Sequence, residues 1–165
     1  GLYTETEFDL NKLKKRNVKI LEAGRSCVHE DYRDGKIIRL LWRGLSSYIS
    51  QKNVDFIVGC ASFEGCNIGS FLEELSFLHH NHLAPKKYLA KSLKNKTTKI
   101  KYLKKDDIDN LKIFKSLPPL IKAYLRVGSW IGQGVVIDNE FKTTDVCIIL
   151  KADKINTKYL NMANK

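Results

Sequence analysis

Three hydrophobic periods follow one another along the chain. Residues 18–28, VKILEAGRSCV, are β-prone at both ends, with Gly24 in the middle where a glycine marks a bulge or a close backbone approach. In strict alternation Glu22 and Arg25 would face opposite sides of such a strand. One extra residue at a bulge would bring them to the same side. After a short turn, Ile37, Leu41, Leu45 and Ile49, with Ile38 and Trp42 beside them, repeat at helical spacing, while Lys36, Arg39 and Arg43 take the other face. A helix over about 36–50 is predicted. Residues 54–63, VDFIVGCASF, are almost continuously apolar, as a central strand buried on both faces requires. The order is strand, turn, helix, strand.

Further on, residues 70–80 predict a shorter amphipathic helix carrying Phe71, Leu75 and Leu78. Residues 86–112 are polar and Lys-rich, and predict a strand near 87–93 followed by a flexible loop. Ser116-Leu117-Pro118-Pro119 then reads as a helix start with Ser116 as N-cap, and the helix should end at Gly128. Strands near 133–138 and 144–150 and a polar tail complete the pattern. No window holds about 18 consecutive apolar residues, so no membrane-spanning helix is predicted, and the first ten residues lack a signal-peptide pattern.

Composition changes this picture only in part. The length of 165 residues with 43% hydrophobic content allows one domain with a sizeable core. The net charge of +11 points to an anionic partner, but most of the 29 basic residues are lysines, a bias that AT-rich coding also produces. The Lys-rich run at 86–105 has no Arg forks and no aromatic ladder, so nucleic acid is not the expected partner. Cys27, Cys60, Cys66 and Cys147 lack C-x-x-C spacing and read as reduced thiols. His79, His80 and His82 cluster without acidic or Cys ligands at short spacing, so no metal is expected there.

The turn at 32–36, Tyr32-Arg33-Asp34-Gly35-Lys36, feeds a helix start from a strand. The first backbone N–H groups of a helix lack internal partners and carry partial positive charge, and Arg33 and Lys36 add full charges. Such a turn suits a phosphate or phosphodiester, and equally a plain tight turn with solvated neighbours. It is neither a Walker loop nor a G-x-G-x-x-G fingerprint.

The pattern V-x-x-x-Y-R-x-G-x-x-x-x-L-L, at Val28, Tyr32, Arg33, Gly35, Leu40 and Leu41, resembles the acyl-donor loop of GNAT-type N-acyltransferases. E-x-G-R-S-C-V at 22–28, L-L-W-R-G-L at 40–45, G-C-A-S-F at 59–63, L-P-P-L-I-K-A-Y-L-R-V-G at 117–128 and D-x-x-F-x-T-x-D-V at 138–146 resemble the ornithine N-acyltransferase family. That family makes lyso-ornithine lipids and is also called hemolysin-like. Glu22-x-x-Arg25 is similar to a signature of the acyl-homoserine-lactone synthases, which also draw on acyl carrier protein. The resemblance implies an α/β GNAT fold, a mixed central sheet flanked by helices. It also implies that residues 1–165 form one domain lacking an N-terminal portion, because the chain opens at what would be the family's Y-x-E-x-E-F-D-L segment, residues 3–10.

What the resemblance implies chemically is transfer of a fatty, 3-hydroxylated acyl chain from acyl carrier protein, or from acyl-CoA, to the α-amine of ornithine or a related amino acid. Val28, Tyr32, Arg33, Asp34, Gly35 and Lys36 would hold the donor's phosphopantetheine. Glu22 is the candidate base, or else the partner of Arg25 inside the domain, and a backbone amide near residues 24–28 would meet the oxyanion. An amino-acid acceptor calls for an Arg and an acid: Arg25 or Arg126 for the carboxylate, Asp138 and Asp145 for the cation, with His82 as a proton shuttle. Tyr124 sits in an apolar stripe and reads as core. Arg39, Arg43 and the 86–105 lysines would steer an acidic carrier or an anionic membrane surface. The expected location is cytoplasmic, peripheral at the inner membrane. One rival reading is a GNAT acyltransferase using acyl-CoA and another amine, and a second is a non-catalytic basic module for membrane or nucleic acid.

Overall fold

The computed structural model describes residues 1–33 and 36–155, apart from the side chain of residue 38. In chain order the elements are β1 (Phe8–Asp9), α1 (Asn11–Lys14), β2 (Ile20–Glu22), α2 (Lys36–Lys52), β3 (Phe56–Glu64), α3 (Leu72–His82), β4 (Lys91–Ser92), α4 (Asn110–Ser116), α5 (Pro119–Arg126), β5 (Trp130–Ile131), β6 (Val136–Asp138) and β7 (Thr143–Lys151). A five-stranded sheet runs β2-β3-β7-β5, with β6 also pairing with β7. β2 is parallel to β3, joined by α2 as a parallel pair requires, and the remaining pairings are antiparallel. β1 and β4 form a separate two-stranded ribbon.

Strand alternation sorts the core into two layers. Phe56, Val58, Cys147 and Ile149 face one side, where Phe8, Leu10 and Leu13 cover them. Ala61, Phe63, Val146 and Ile148 face the other, against α3, α4 and α5. Ile57 and Leu150 lie on that second face, where Ile49 of α2 packs. β3 is therefore buried on both faces, as its unbroken apolar run requires.

Several expectations need correction. The strand at 18–28 does not carry a bulge. It stops at Glu22, and the left-handed residue just beyond is Arg25, at φ 54°, rather than Gly24. Ser116 does not cap the following helix. It ends α4, which begins on an N-cap at Asp109, whose side chain accepts from the backbone N–H groups of Leu111 and Lys112. Pro118 disfavours helical backbone at Leu117, so α4 ends there and the predicted helix begins only at Pro119, as α5. The Lys-rich segment is not a flexible loop, because His79 stacks on Tyr102 at 4.0 Å, His80 Nε2 lies 2.8 Å from Leu103 O, and Leu103 N–H donates to Ser76 Oγ. These contacts absorb two of the three histidines.

Gly59 shows how closely β2 leaves β3. A Cβ built there would lie 2.5 Å from the carbonyl oxygen of Ala23, a backbone atom that cannot swing aside. Gly59→Ala is therefore expected to push the exit of β2 away and destabilise the fold by about 1–3 kcal/mol, as overpacking does. The midpoint of urea unfolding measures it, and an unchanged midpoint would disprove the close approach.

Candidate active site

β2 and β3 pair only from Ile20 with Phe56 to Glu22 with Val58. Ala23 N–H makes the last cross-strand bond, 2.8 Å to Val58 O, after which β2 peels away while β3 continues to Glu64. This splay has two consequences. Among the described residues, the backbone N–H groups of 24–28 make no hydrogen bond, so donors are left free beside the gap. In addition, the face that is apolar at Phe56 and Val58 turns polar beyond them, at Cys60 and Ser62 of β3 and Asp145 of β7.

Two cavities open at the splay and share Glu22 and Gly24. One, of about 570 Å³, is polar and is lined by Tyr3, Glu22, Arg25, Cys60, Ser62 and Asp145, among others. The other, of about 600 Å³, is apolar and runs along α2, past Val28, Ile37, Leu40, Leu41, Trp42, Gly44, Leu45 and Tyr48, to Leu120 and Tyr124 of α5. Leu40, Leu41 and Tyr48 are exposed on a helix whose opposite face is charged, an unusual state for side chains of this size.

Glu22 accepts three hydrogen bonds. Its Oε2 accepts from Tyr3 N–H at 2.8 Å, and its Oε1 accepts from both the N–H and the hydroxyl of Thr4 at 2.5 Å. Burial pushes its carboxyl up, but the Thr4 hydroxyl and the Thr4 and Tyr3 amides more than offset that, so it is held below the usual carboxylate range. No ion pair joins it to Arg25 among the described residues, which removes the pairing that the spacing suggested. Both residues nonetheless line the polar cavity.

A second acidic centre lies beyond it. Glu7, Asp138 and Asp145 each bring a carboxylate oxygen within 4.8 Å of the others, close enough to hold a cation. Glu7 is 2% exposed and accepts from the Cys60 thiol at 3.2 Å. Burial raises its carboxyl above the ordinary range. Asp145 is 4% exposed, and burial raises its carboxyl against the pull of the Ser62 and Thr143 hydroxyls beside it. Asp138 is instead held low by the Phe141 amide, helped by the Glu140 amide and the Tyr3 hydroxyl. Burial and the nearby carboxylates push the Tyr3 phenol up to about 12.

The other candidates are scattered. Asp34 and Gly35 lie outside the described residues. Val28 lines the apolar cavity, while Arg33 spends its Nε on the Val28 carbonyl at 3.0 Å, bracing the loop from within. Tyr32 is exposed and packs edge-on against His29. Lys36 opens α2. Arg126 and His82 are not brought to either cavity: Arg126 lies over the Phe114 ring, and His82 packs on Phe77 at the end of α3, where burial lowers its pKa. Tyr124 is buried edge-on against Trp42, as its apolar stripe predicted. Sequence reasoning missed Tyr3, Thr4, Glu7, Cys60 and Ser62. Tyr3 and Glu7 did stand in the Y-x-E-x-E-F-D-L segment, but that pattern marked where the chain opens and gave them no chemical role.

Comparison with known proteins shows what the chain is similar to. Residues 1–43 match the family described as an acetyltransferase (GNAT) domain, and the mixed sheet flanked by helices places the chain in the GNAT-fold class. L-ornithine N(alpha)-acyltransferase of Brucella abortus (strain 2308) is 40% identical over 163 residues, covering 98% of this chain and 58% of that protein. The protein of the same name from Rhodobacter capsulatus is 34% identical over 157 residues, covering 95% of this chain and 60% of that protein. That of Agrobacterium fabrum (strain C58) is 36% identical over 163 residues, or 98% and 56%. The chain is similar to these relatives over nearly its whole length and spans less than two thirds of theirs. No solved structure matches it.

Proposed function

We propose that the complete protein is an N-acyltransferase that moves a fatty, 3-hydroxylated acyl chain from acyl carrier protein to the α-amine of ornithine or a related amino acid, the first step of ornithine-lipid synthesis. The observation that carries this is the meeting of an apolar and a polar cavity at Glu22 and Gly24, where β2 leaves the sheet. The apolar groove along α2 suits an acyl chain. The polar cavity suits a charged amine, and the unbonded N–H groups of 24–28 lie where a thioester oxyanion would form.

In this reaction the neutral amine forms a bond to the thioester carbonyl, the C–S bond breaks, and the proton lost by the amine passes through Glu22 to the departing thiolate. Tyr124, packed against Trp42, is not needed as the acid. Arg25, at the mouth of the polar cavity, serves the acceptor carboxylate. The phosphopantetheine would lie along Val28, Tyr32 and the start of α2. Arg39 and Arg43, exposed on α2, together with the lysines of 86–105, suit the acidic surface of a carrier protein. Among the described residues no helix is long and apolar enough to cross a membrane. The same basic residues would hold the protein peripherally at the anionic inner cytoplasmic face.

The test is to incubate the complete protein with 3-hydroxyacyl carrier protein or acyl-CoA and a panel of amino acids, and to read N-acyl products by mass spectrometry. An N-acyl-ornithine formed from the carrier substrate is the expected result. A product only from acyl-CoA would replace the donor, and no product with any amine would overturn the reading.

A further inference from the structure

The turn joining β6 to β7 is tightly braced yet leaves its tip bare. Asp138 and Thr143 close the hairpin as Cα partners. Asp138 Oδ1 accepts from the backbone N–H groups of Glu140, at 2.8 Å, and Phe141, at 3.0 Å. Lys142 takes left-handed backbone at φ 55°, uncommon for a residue with a side chain, and its carbonyl accepts from Gly65 N–H at 3.0 Å. Thr144 Oγ1 donates to Gly65 O at 2.7 Å, so the turn is also tied to the chain just past the end of β3. What this brace holds out is Phe141, which is 68% exposed and, among the described residues, stacks on no other ring. Phe141 nevertheless lines the polar cavity, together with Glu22, Gly24 and Arg25. A braced turn that ends in an exposed phenyl ring gains little burial from it, so its use lies in what the ring covers.

The chemistry at that cavity has a competitor. Its volume of about 570 Å³ is many times the roughly 30 Å³ that a water takes in the liquid, so water stays beside the reacting atoms unless something displaces it. An ionised Glu22 can take a proton from water as it does from an amine. The water oxygen would then bond to the thioester carbonyl carbon, the C–S bond would break, and the proton would pass to the thiolate. A free fatty acid and a free thiol would result in place of the amide. Closing a site against water suppresses such side reactions. We propose that Phe141 covers the polar cavity: its ring lies over the bound acceptor and keeps water from the thioester, and so sets the partition between amine transfer and hydrolysis. Rotation about its side-chain bonds suffices to move the ring, because Asp138 and Gly65 fix the backbone on either side. Asp138 is then a positioning residue that acts through the Phe141 amide. This inference rests on the acyltransferase reading above.

The experiment gives the complete protein 3-hydroxyacyl carrier protein and ornithine, and measures both the free thiol released and the N-acyl product formed. Each transfer releases a single thiol, so thiol and amide appear in equal amounts when water is excluded. Phe141→Ala should raise the ratio of thiol to amide by about threefold to tenfold, the worth of one aromatic contact. Phe141→Leu should restore it. Asp138→Ala, which frees the turn, should raise the ratio in the otherwise unaltered protein and add nothing to Phe141→Ala. A large excess of thiol in the unaltered protein, or a ratio unmoved by Phe141→Ala, overturns the inference while leaving acyl transfer intact. Because the ring is exposed, Phe141→Ala leaves the core untouched. A lowered melting temperature with an unmoved ratio would seat the ring against another part of the complete protein and also overturn the inference. No N-acyl product from the unaltered protein with any amine would sink the acyltransferase reading, and this role with it.

Discussion

Gly44→Phe is expected to lower the ratio of long-chain to acetyl donor rates by about a hundredfold without unfolding the protein. Gly44 lies on the groove side of α2, and a Cβ added there meets nothing within 4 Å, so the new side chain enters the cavity rather than a neighbour. A phenyl ring would exclude some three or four methylenes of a bound acyl chain. At about 0.8 kcal/mol for each buried methylene this amounts to about 3 kcal/mol, or two orders of magnitude in rate constant. A short acyl group does not reach that depth and supplies the reference. Measuring kcat/KM for both donors on the complete protein checks it. An unchanged ratio would mean that the acyl chain lies elsewhere and that the exposed Leu40, Leu41 and Tyr48 answer to another partner. Because glycine in a helix interior costs stability, the variant should also melt slightly higher.

What the sequence made legible follows from period and burial. α2, β3 and β7 were readable because each repeats its apolar positions over many residues, and the β2-α2-β3 order already implied a parallel pair. The two-residue strands β1 and β4 offered no period at all. α4 was hidden because Lys112 and Lys115 interrupt its stripe, and because Ser116 is a plausible cap on either side of the boundary that Pro118 sets. In the site, Glu22, Arg25, Asp138 and Asp145 carried visible chemistry. Glu7 and Thr4 did not, since only long-range packing makes an acid and a hydroxyl from the first residues cover Cys60 and Glu22. Arg126 and His82 were misplaced for the converse reason: their residue types suit an acceptor, while their helices turn them onto Phe114 and Phe77.

Glu22→Gln is expected to reduce turnover at least tenfold, within the range that a positioned base supplies. The structure adds a complication, since this carboxylate accepts three hydrogen bonds from Tyr3 and Thr4. A glutamine amide would turn one acceptor into a donor facing a donor, so lost turnover alone could reflect a loosened N-terminal segment. Thr4→Val separates the two roles. It removes one cause of the depressed Glu22 carboxyl while leaving the acid in place, so the Glu22 pKa rises. A base must be ionised to act, so the acid limb of the kcat/KM profile should move to higher pH in Thr4→Val. An unmoved limb would make Glu22 a structural anchor. The stability sign is also fixed: a carboxyl depressed on folding contributes stability above its unfolded pKa and loses it as pH falls through the folded value. Thr4→Val and Glu22→Gln should therefore both weaken the fold at neutral pH, and the gap between each variant and the unaltered protein should close under acid. Only Thr4→Val should do so while retaining a pH-dependent rate governed by Glu22.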